Sequence, residues 1–212
     1  MSFNLKPPAQ PSAPVSGRAD VRALLAAGPA ALAPMSGVTD LPFRVLAHRL
    51  GAGLVVSEMV ASEALAQGRA DVLRRAEGAG EIAPLVIQLA GREARWMALG
   101  AKLARDAGAD VIDINMGCPA RQVTRGASGS ALMRDLDHAL TLIEATVAAV
   151  DVPVTLKMRL GWDDQTINAP ELARRAEAAG VEAVDCPAAI GLRAGELRPA
   201  VAVVGTKELS FE

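Results

Sequence analysis

The chain has 212 residues, 51% of them hydrophobic, with no tyrosine, three phenylalanines and two tryptophans. That length suits one domain with a sizeable core, and the core must be packed from Ala, Val, Leu and Ile, as in helix-covered parallel sheets. A net charge of −2 gives no bulk sign of a nucleic-acid binder, although it leaves a local basic face open. Cys118 and Cys186 have neither CxxC nor Cys/His spacing, and two lone histidines add no ligand set. No metal site and no disulfide framework are therefore expected, which fits a reducing, cytoplasmic setting. No stretch approaches the roughly eighteen uninterrupted apolar residues of a membrane span.

The segment Lys6–Pro14 is Pro-rich and lacks an apolar signal core, so residues 1–28 read as a flexible N-terminal leader. From residue 29, short apolar runs alternate with helical stretches. Ala30 to Ala33 is a first strand, ending at Pro34-Met35-Ser36-Gly37. A helix follows through Phe43, Val45, Leu46 and Leu50, capped by Asp40 with Pro42 in its first turn. Leu54 to Ser57 is a second strand, with a helix near Ala61 to Gln67. Pro84 to Leu89 is a third strand. Arg92 to Ala107 is helical, with Trp96, Leu99 and Leu103 on its apolar stripe and Gly108 as its stop. Val111 to Asn115 is a fourth strand, and Asp137 to Val150 a helix with Leu140, Ile143 and Val147 on one face. Val154 to Met158 is a fifth strand, Glu171 to Ala179 a helix, and Val181 to Val184 the start of a sixth strand. Asp185-Cys186-Pro187 is expected to interrupt it, and beyond that point Ala200 to Val204 is the one candidate strand.

Repeated βα units imply a parallel sheet with helices outside. The competing architectures are a doubly wound open sheet and a (β/α)8 barrel. No Gly-x-Gly-x-x-Gly follows the first strand, which counts against a dinucleotide-binding open sheet. Polar or special residues close the strands instead: Met35, Glu58, Gln88, Asn115 and Lys157. Such groups converging on the C-terminal face are how a barrel builds its site. The expected fold is therefore an α/β TIM barrel, incomplete in this chain, with about five to six βα units over residues 29–184 and an atypical tail over 185–212.

Within this pattern Val111–Asn115 runs into Met116-Gly117-Cys118-Pro119. Gly and Pro break the strand and lift the thiol onto a loop at the catalytic face. The same cysteine could instead be a buried structural thiol. The further motifs decide. Ala33-Pro34-Met35-Ser36-Gly37-Val38-Thr39-Asp40-Leu41-Pro42-Phe43-Arg44, Val56-Ser57-Glu58-Met59, Gln88-Leu89-Ala90-Gly91, Asp113-Ile114-Asn115-Met116-Gly117-Cys118-Pro119 and Leu156-Lys157-Met158-Arg159-Leu160-Gly161-Trp162 occur in order. Together they resemble the tRNA-dihydrouridine synthases, in particular the bacterial branch also named after nitrogen-regulation operons. The resemblance covers roughly residues 30 to 184.

The resemblance implies an FMN-dependent barrel followed by a small helical domain that grips tRNA. NADPH reduces the flavin, which then reduces the C5–C6 double bond of selected uridines. The base must be turned out of its stack to reach a flavin. Cys118 is then the general acid, since an ordinary thiol titrates near pH 8.5 (about) and has a proton to give at neutral pH. Lys157 is expected to stabilise negative charge on the reduced ring. Gln88 would meet the ring edge, and Pro34, Met35 and Ser36 would run beside it through backbone groups. Asn115 and Arg159 would contact the uracil. Glu58 would hold a neighbouring loop or a basic side chain. The stretch Arg121–Ser130 is either a lid carrying Cys118 or a plain loop, with Arg121 and Arg125 available to RNA phosphates. His48 and His138 read as surface or packing residues, and the pair Arg74-Arg75 as a solvated helix face. The partner is tRNA, with no membrane and no metal, and the chain is expected to be monomeric.

Beyond Val184 the family's His-Gly-Arg-Thr motif is replaced by Asp185-Cys186-Pro187-Ala188. The abrupt change points to a reading-frame shift or a truncation. The activity is accordingly expected of the gene's full-length product and not of the 212-residue form. The competing readings are another FMN barrel acting on a free pyrimidine, and a non-catalytic fragment.

Overall fold

The structure is a computed structural model and describes residues 19–21, 23–24, 30–186 and 203–204. Its elements, in chain order, are β1 (Ala31–Leu32), α1 (Leu41–Arg49), β2 (Leu54–Val55), β3 (Val60–Ala61), α2 (Ser62–Ala66), α3 (Ala70–Leu73), β4 (Val86–Ala90), α4 (Ala94–Asp106), β5 (Val111–Met116), α5 (Arg121–Thr124), α6 (Leu136–Val147), β6 (Val154–Met158), α7 (Ala169–Ala178), β7 (Ala183–Asp185) and β8 (Val203–Val204). Two 3-10 turns, Arg74–Ala76 and Gly129–Arg134, complete them. The bulk of the expected leader and tail lies outside the described residues.

Strands β3 to β7 pair in chain order, all parallel, and β8 closes the edge antiparallel to β7. β1 pairs with β2, and a parallel bridge from Val56 to Val86 joins that pair to β4. A doubly wound sheet reverses its strand order at the switch point. Here the order never reverses, so the strands form part of a barrel wall with helices outside.

The helices start where their sequence caps allow. Asp40 accepts the Phe43 N–H at 3.0 Å with Pro42 in the first turn of α1, and Asp135 does the same for His138 at 3.0 Å in α6. Helix α4 corrects one expectation. Leu99 and Leu103 are solvent-exposed, while Met97, Gly100, Ala101 and Ala104 are buried. The reason is distance: a side chain at Gly100 would meet Ser62 Cβ at 2.9 Å, so α4 presents its small residues to α2 and the sheet. Strand β7 corrects another, because Asp185 ends it in register with Lys157 and does not interrupt it. Arg75 is also no solvated residue: its guanidinium donates to the Met59 carbonyl at 3.3 Å.

The period-2 alternation of strands sorts the residues of β4 to β7 onto two faces. Ile87, Leu89, Ile112, Ile114, Met116, Leu156 and Met158 join the main core with Leu142, Ile143 and Leu172 of the helices. Full burial of each such side chain contributes about 1.5–3 kcal/mol relative to exposure. The opposite face carries layers. Val86, Val111 and Ala183 form an apolar floor with Val56, covered by Ala19 and Val21, which are 9% and 2% exposed. Packing therefore reaches back into the stretch expected to be leader. Above that floor the same face turns polar: Gln88, Asp113 and Thr155 first, then Asn115, Lys157 and Asp185.

Candidate active site

The polar layers occupy the half of the strands nearest their C-terminal ends, and their side chains are linked. Gln88 is fully buried and donates its Nε2 to Asp113 Oδ2 at 2.7 Å. Thr155 Oγ1 donates to the other Asp113 oxygen at 2.6 Å. Asn115 Nδ2 donates to Gln88 Oε1 at 2.8 Å. Asn115 Oδ1 then accepts the backbone N–H groups of Gly117, at 3.2 Å, and Cys118, at 3.0 Å. Burial pushes the Asp113 carboxyl above the usual carboxylate range; Asp185 adds to the rise, and hydrogen bonds from Gln88 and Thr155 with the Lys157 charge oppose it.

Cys118 lies past the end of β5 and is half-buried. Its loop is held from three sides. Asn115 holds its N–H, the Ser130 N–H donates to its carbonyl at 2.9 Å, and Arg159 Nε donates to the Gly117 carbonyl at 2.5 Å. Burial lowers the Arg159 pKa, while the neighbouring Cys118 acts to raise it. Gly129 makes the return possible: at φ +60° its missing Cβ would sit 2.6 Å from the Cys118 carbonyl oxygen. The stretch after Cys118 is thus folded into α5 and a 3-10 turn.

Lys157 forms an ion pair with Asp185, its neighbour in register on β7. Cys186 follows, and burial, with the Asp185 carboxylate beside it, pushes its thiol up to about 11. Cys186 is thus kept as the protonated thiol at neutral pH.

The structure therefore brings Gln88, Asn115, Cys118, Lys157 and Arg159 to one end of β4–β6. Pro34, Met35 and Ser36 lie in the turn after β1. Met35 and Ser36 are exposed. Met35 N–H donates to Thr39 Oγ1 at 3.0 Å, and Glu58 accepts the Gly37 N–H at 2.5 Å, so Glu58 does hold a neighbouring loop. Among the described residues no hydrogen bond joins this turn directly to the Gln88–Cys118 cluster; Ser57 and Glu58 bridge them, with Ser57 Oγ accepting the Gln88 N–H and donating to the Glu58 carbonyl, each at 2.9 Å. A cleft of about 200 Å³ opens at the ends of β3 and β4, lined by Ser62, Arg92, Trp96, Gly126 and Ser128 among others, and none of the expected site residues lines it. Sequence reasoning missed Asp113, Thr155 and Asp185. The signal was there in the alternation, since Asp113 and Thr155 sit two residues before Asn115 and Lys157 and so share their face. No group of three or more metal-ligating side chains occurs among the described residues, nor does any helix long and apolar enough to cross a membrane.

The order of these strand-end groups can be set against known proteins. The family model for dihydrouridine synthase matches residues 31–185. The chain belongs to the dihydrouridine synthase family. Its relatives include a probable tRNA-dihydrouridine synthase of Rhizobium leguminosarum bv. phaseoli, 68% identical over 153 residues, which are 72% of this chain and 48% of the relative. A protein of the same description from Rhodobacter capsulatus is 60% identical over 159 residues, 74% of this chain and 48% of the relative. The tRNA-dihydrouridine synthase B of Xanthomonas campestris pv. campestris is 52% identical over 153 residues, 72% of this chain and 46% of the relative. The chain spans about half the length of the curated relatives it matches. The family's TIM barrel agrees with the partial barrel wall described above.

Proposed function

We propose that this chain carries the strand-end chemistry of an FMN- and NADPH-dependent tRNA-dihydrouridine synthase, acting in the cytoplasm on uridines of tRNA. The observation that carries the reading is the position of Cys118: a half-buried thiol beyond β5, with its loop fastened by Asn115 and Arg159.

The donor set fits the ring end of a flavin. Lys157 offers an ammonium at the rim beside Asn115, and the Met35–Ser36 turn is exposed, with the Met35 backbone already engaged by Val38 and Thr39. Asp185 shares the Lys157 charge, which weakens that ammonium's hold on an anionic ring edge. Gln88 would support the ring region from beneath, because both ends of its amide are already engaged. Reduced FMN, recharged by NADPH, would supply a hydride for C6 of the uracil. Cys118 would deliver the proton to C5, so the C5–C6 double bond gains one hydride and one proton and the thiol leaves as thiolate. Arg159, one bond from the Cys118 loop, would stabilise that thiolate and, with Asn115, orient the base. Arg121 and Arg125 stand on or beside α5, after Cys118, where RNA phosphates would meet them.

The test is to incubate the gene's full-length product with FMN, NADPH and an unmodified tRNA transcript, and to quantify dihydrouridine by mass spectrometry of the digested nucleosides. The expected result is dihydrouridine in tRNA and none from free uridine. A flavin-loaded chain that reduces free uridine in preference, or neither substrate, overturns the proposal.

A further inference from the structure

The line of hydrogen bonds from Thr155 to Cys118 has a direction, and one residue sets it. A carboxylate oxygen facing an amide accepts, and backbone N–H groups only donate. Between Asp113 at one end and the Gly117 and Cys118 N–H groups at the other stand two amides, Gln88 and Asn115, each with two possible orientations. Turning Gln88 round would set its oxygen against Asp113. Turning Asn115 round would set its NH₂ against two N–H donors. Only one of the four combinations satisfies every contact, and it is the one the structure adopts.

We propose that Asp113 is a positioning residue for Cys118: it fixes the Gln88 amide, which fixes Asn115, which holds the backbone of the Cys118 loop. This rests on reading Cys118 as the proton donor. Asp113 is 6% exposed, Gln88 fully buried and Asn115 7% exposed, so water does not compete for these bonds. Thr155 Oγ1 fills the remaining oxygen of Asp113, which prevents the carboxyl from rotating toward another donor. A buried polar residue two places before a site residue would ordinarily cost stability. Its presence is accounted for by what its absence would do: the Gln88 NH₂ would lose its acceptor and the amide line its direction. Asparagine can replace it, since its oxygen accepts from Gln88 and its NH₂ meets Thr155. Leucine, of similar size, cannot.

The measurement is amide hydrogen exchange by NMR on the full chain, with no tRNA or cofactor present, for wild type, Asp113→Leu and Asp113→Asn. In Asp113→Leu the Gly117 and Cys118 amides should exchange about tenfold faster, as expected when a bond of ordinary strength is lost from the line. The Ile112 and Ile114 amides should stay within about twofold of wild type, and Asp113→Asn should restore slow exchange at Gly117 and Cys118. Unchanged rates in Asp113→Leu, equal acceleration along all of β5, or failure of Asp113→Asn to restore protection overturns the proposal. Should Asp113→Leu not fold, Gln88→Met removes the next link and must show the same selective acceleration, or the proposal fails. Wild-type turnover by the Cys118→Ala variant of the gene's full-length product, beside these rates, would leave the positioning intact and overturn only the proton-donor reading.

Discussion

The central strands and the first βα unit of this chain are held by different forces. β4 and β5 are covered on both faces and β6 on its core face, and Leu85, Ile87, Ile112, Ile114 and Leu156 are at most 1% exposed. The first unit has two-residue strands, and its helix α1 leaves Phe43, Leu46 and Leu50 at 40%, 54% and 73% exposure. Arg44 is the one buried residue of that helix. Its guanidinium donates to the carbonyls of Thr39, Arg75 and Glu77, which ties α1 to the turn after α3. One region is held by apolar area and the other by polar ties. The difference places Cys118 at the end of β5, in the region packed by apolar area, and Met35 and Ser36 in the region held by polar ties.

This contrast can be broken at either end. Leu156→Ala should cost about 2–5 kcal/mol, the range for a fully packed core leucine, and should lower the midpoint of the global unfolding transition in denaturant. Arg44→Ala should cost less, about 1–3 kcal/mol from the carbonyls it leaves bare. Its effect should appear as faster hydrogen exchange confined to α1 and the β1–β2 pair, with β5 unaffected. A purely global effect from Arg44→Ala would mean that the two regions form a single cooperative unit.

The smallest effect concerns pH. Because burial raises the Asp113 pKa, there is a pH window above the unfolded value in which the folded protein binds a proton there that the unfolded chain has released; above that window Asp113 is the carboxylate that accepts from Gln88 and Thr155. Stability contributed by Asp113 is therefore full below the unfolded value of about 3.9 and falls as pH rises through the folded value. The stability of wild type minus that of Asp113→Asn should decline with rising pH across this window, as read from paired denaturant titrations. A difference that grows with pH would show that the hydrogen bonds from Gln88 and Thr155 outweigh burial.

Much of the central region was legible in the sequence. Val154–Met158 was read with the bounds the structure has, and the Asp40 cap with its proline followed from local chemistry. The motif Asp113–Pro119 put Cys118 past a strand end, because Gly117 and Pro119 must end a strand that its apolar residues begin. What local pattern could not give was contact between strands. The α4 stripe was misplaced because hydrophobicity favoured Leu99 and Leu103, whereas the close approach at Gly100 favours small residues. Asp185 read as a breaker because a charge on a strand is costly alone, and its partner Lys157 is 28 residues earlier. Asp113 was overlooked for the same reason: its partners Gln88 and Thr155 belong to neighbouring strands.

The account turns on Cys118, and Cys118→Ala tests it most directly. The gene's full-length product and its Cys118→Ala variant would be loaded with FMN, checked by the visible flavin spectrum, and given NADPH and unmodified tRNA. The prediction is an unchanged flavin spectrum and dihydrouridine formation slowed by about 10²–10⁴-fold, the usual contribution of a positioned general acid. Turnover at the wild-type rate with flavin bound would contradict the role assigned to the thiol.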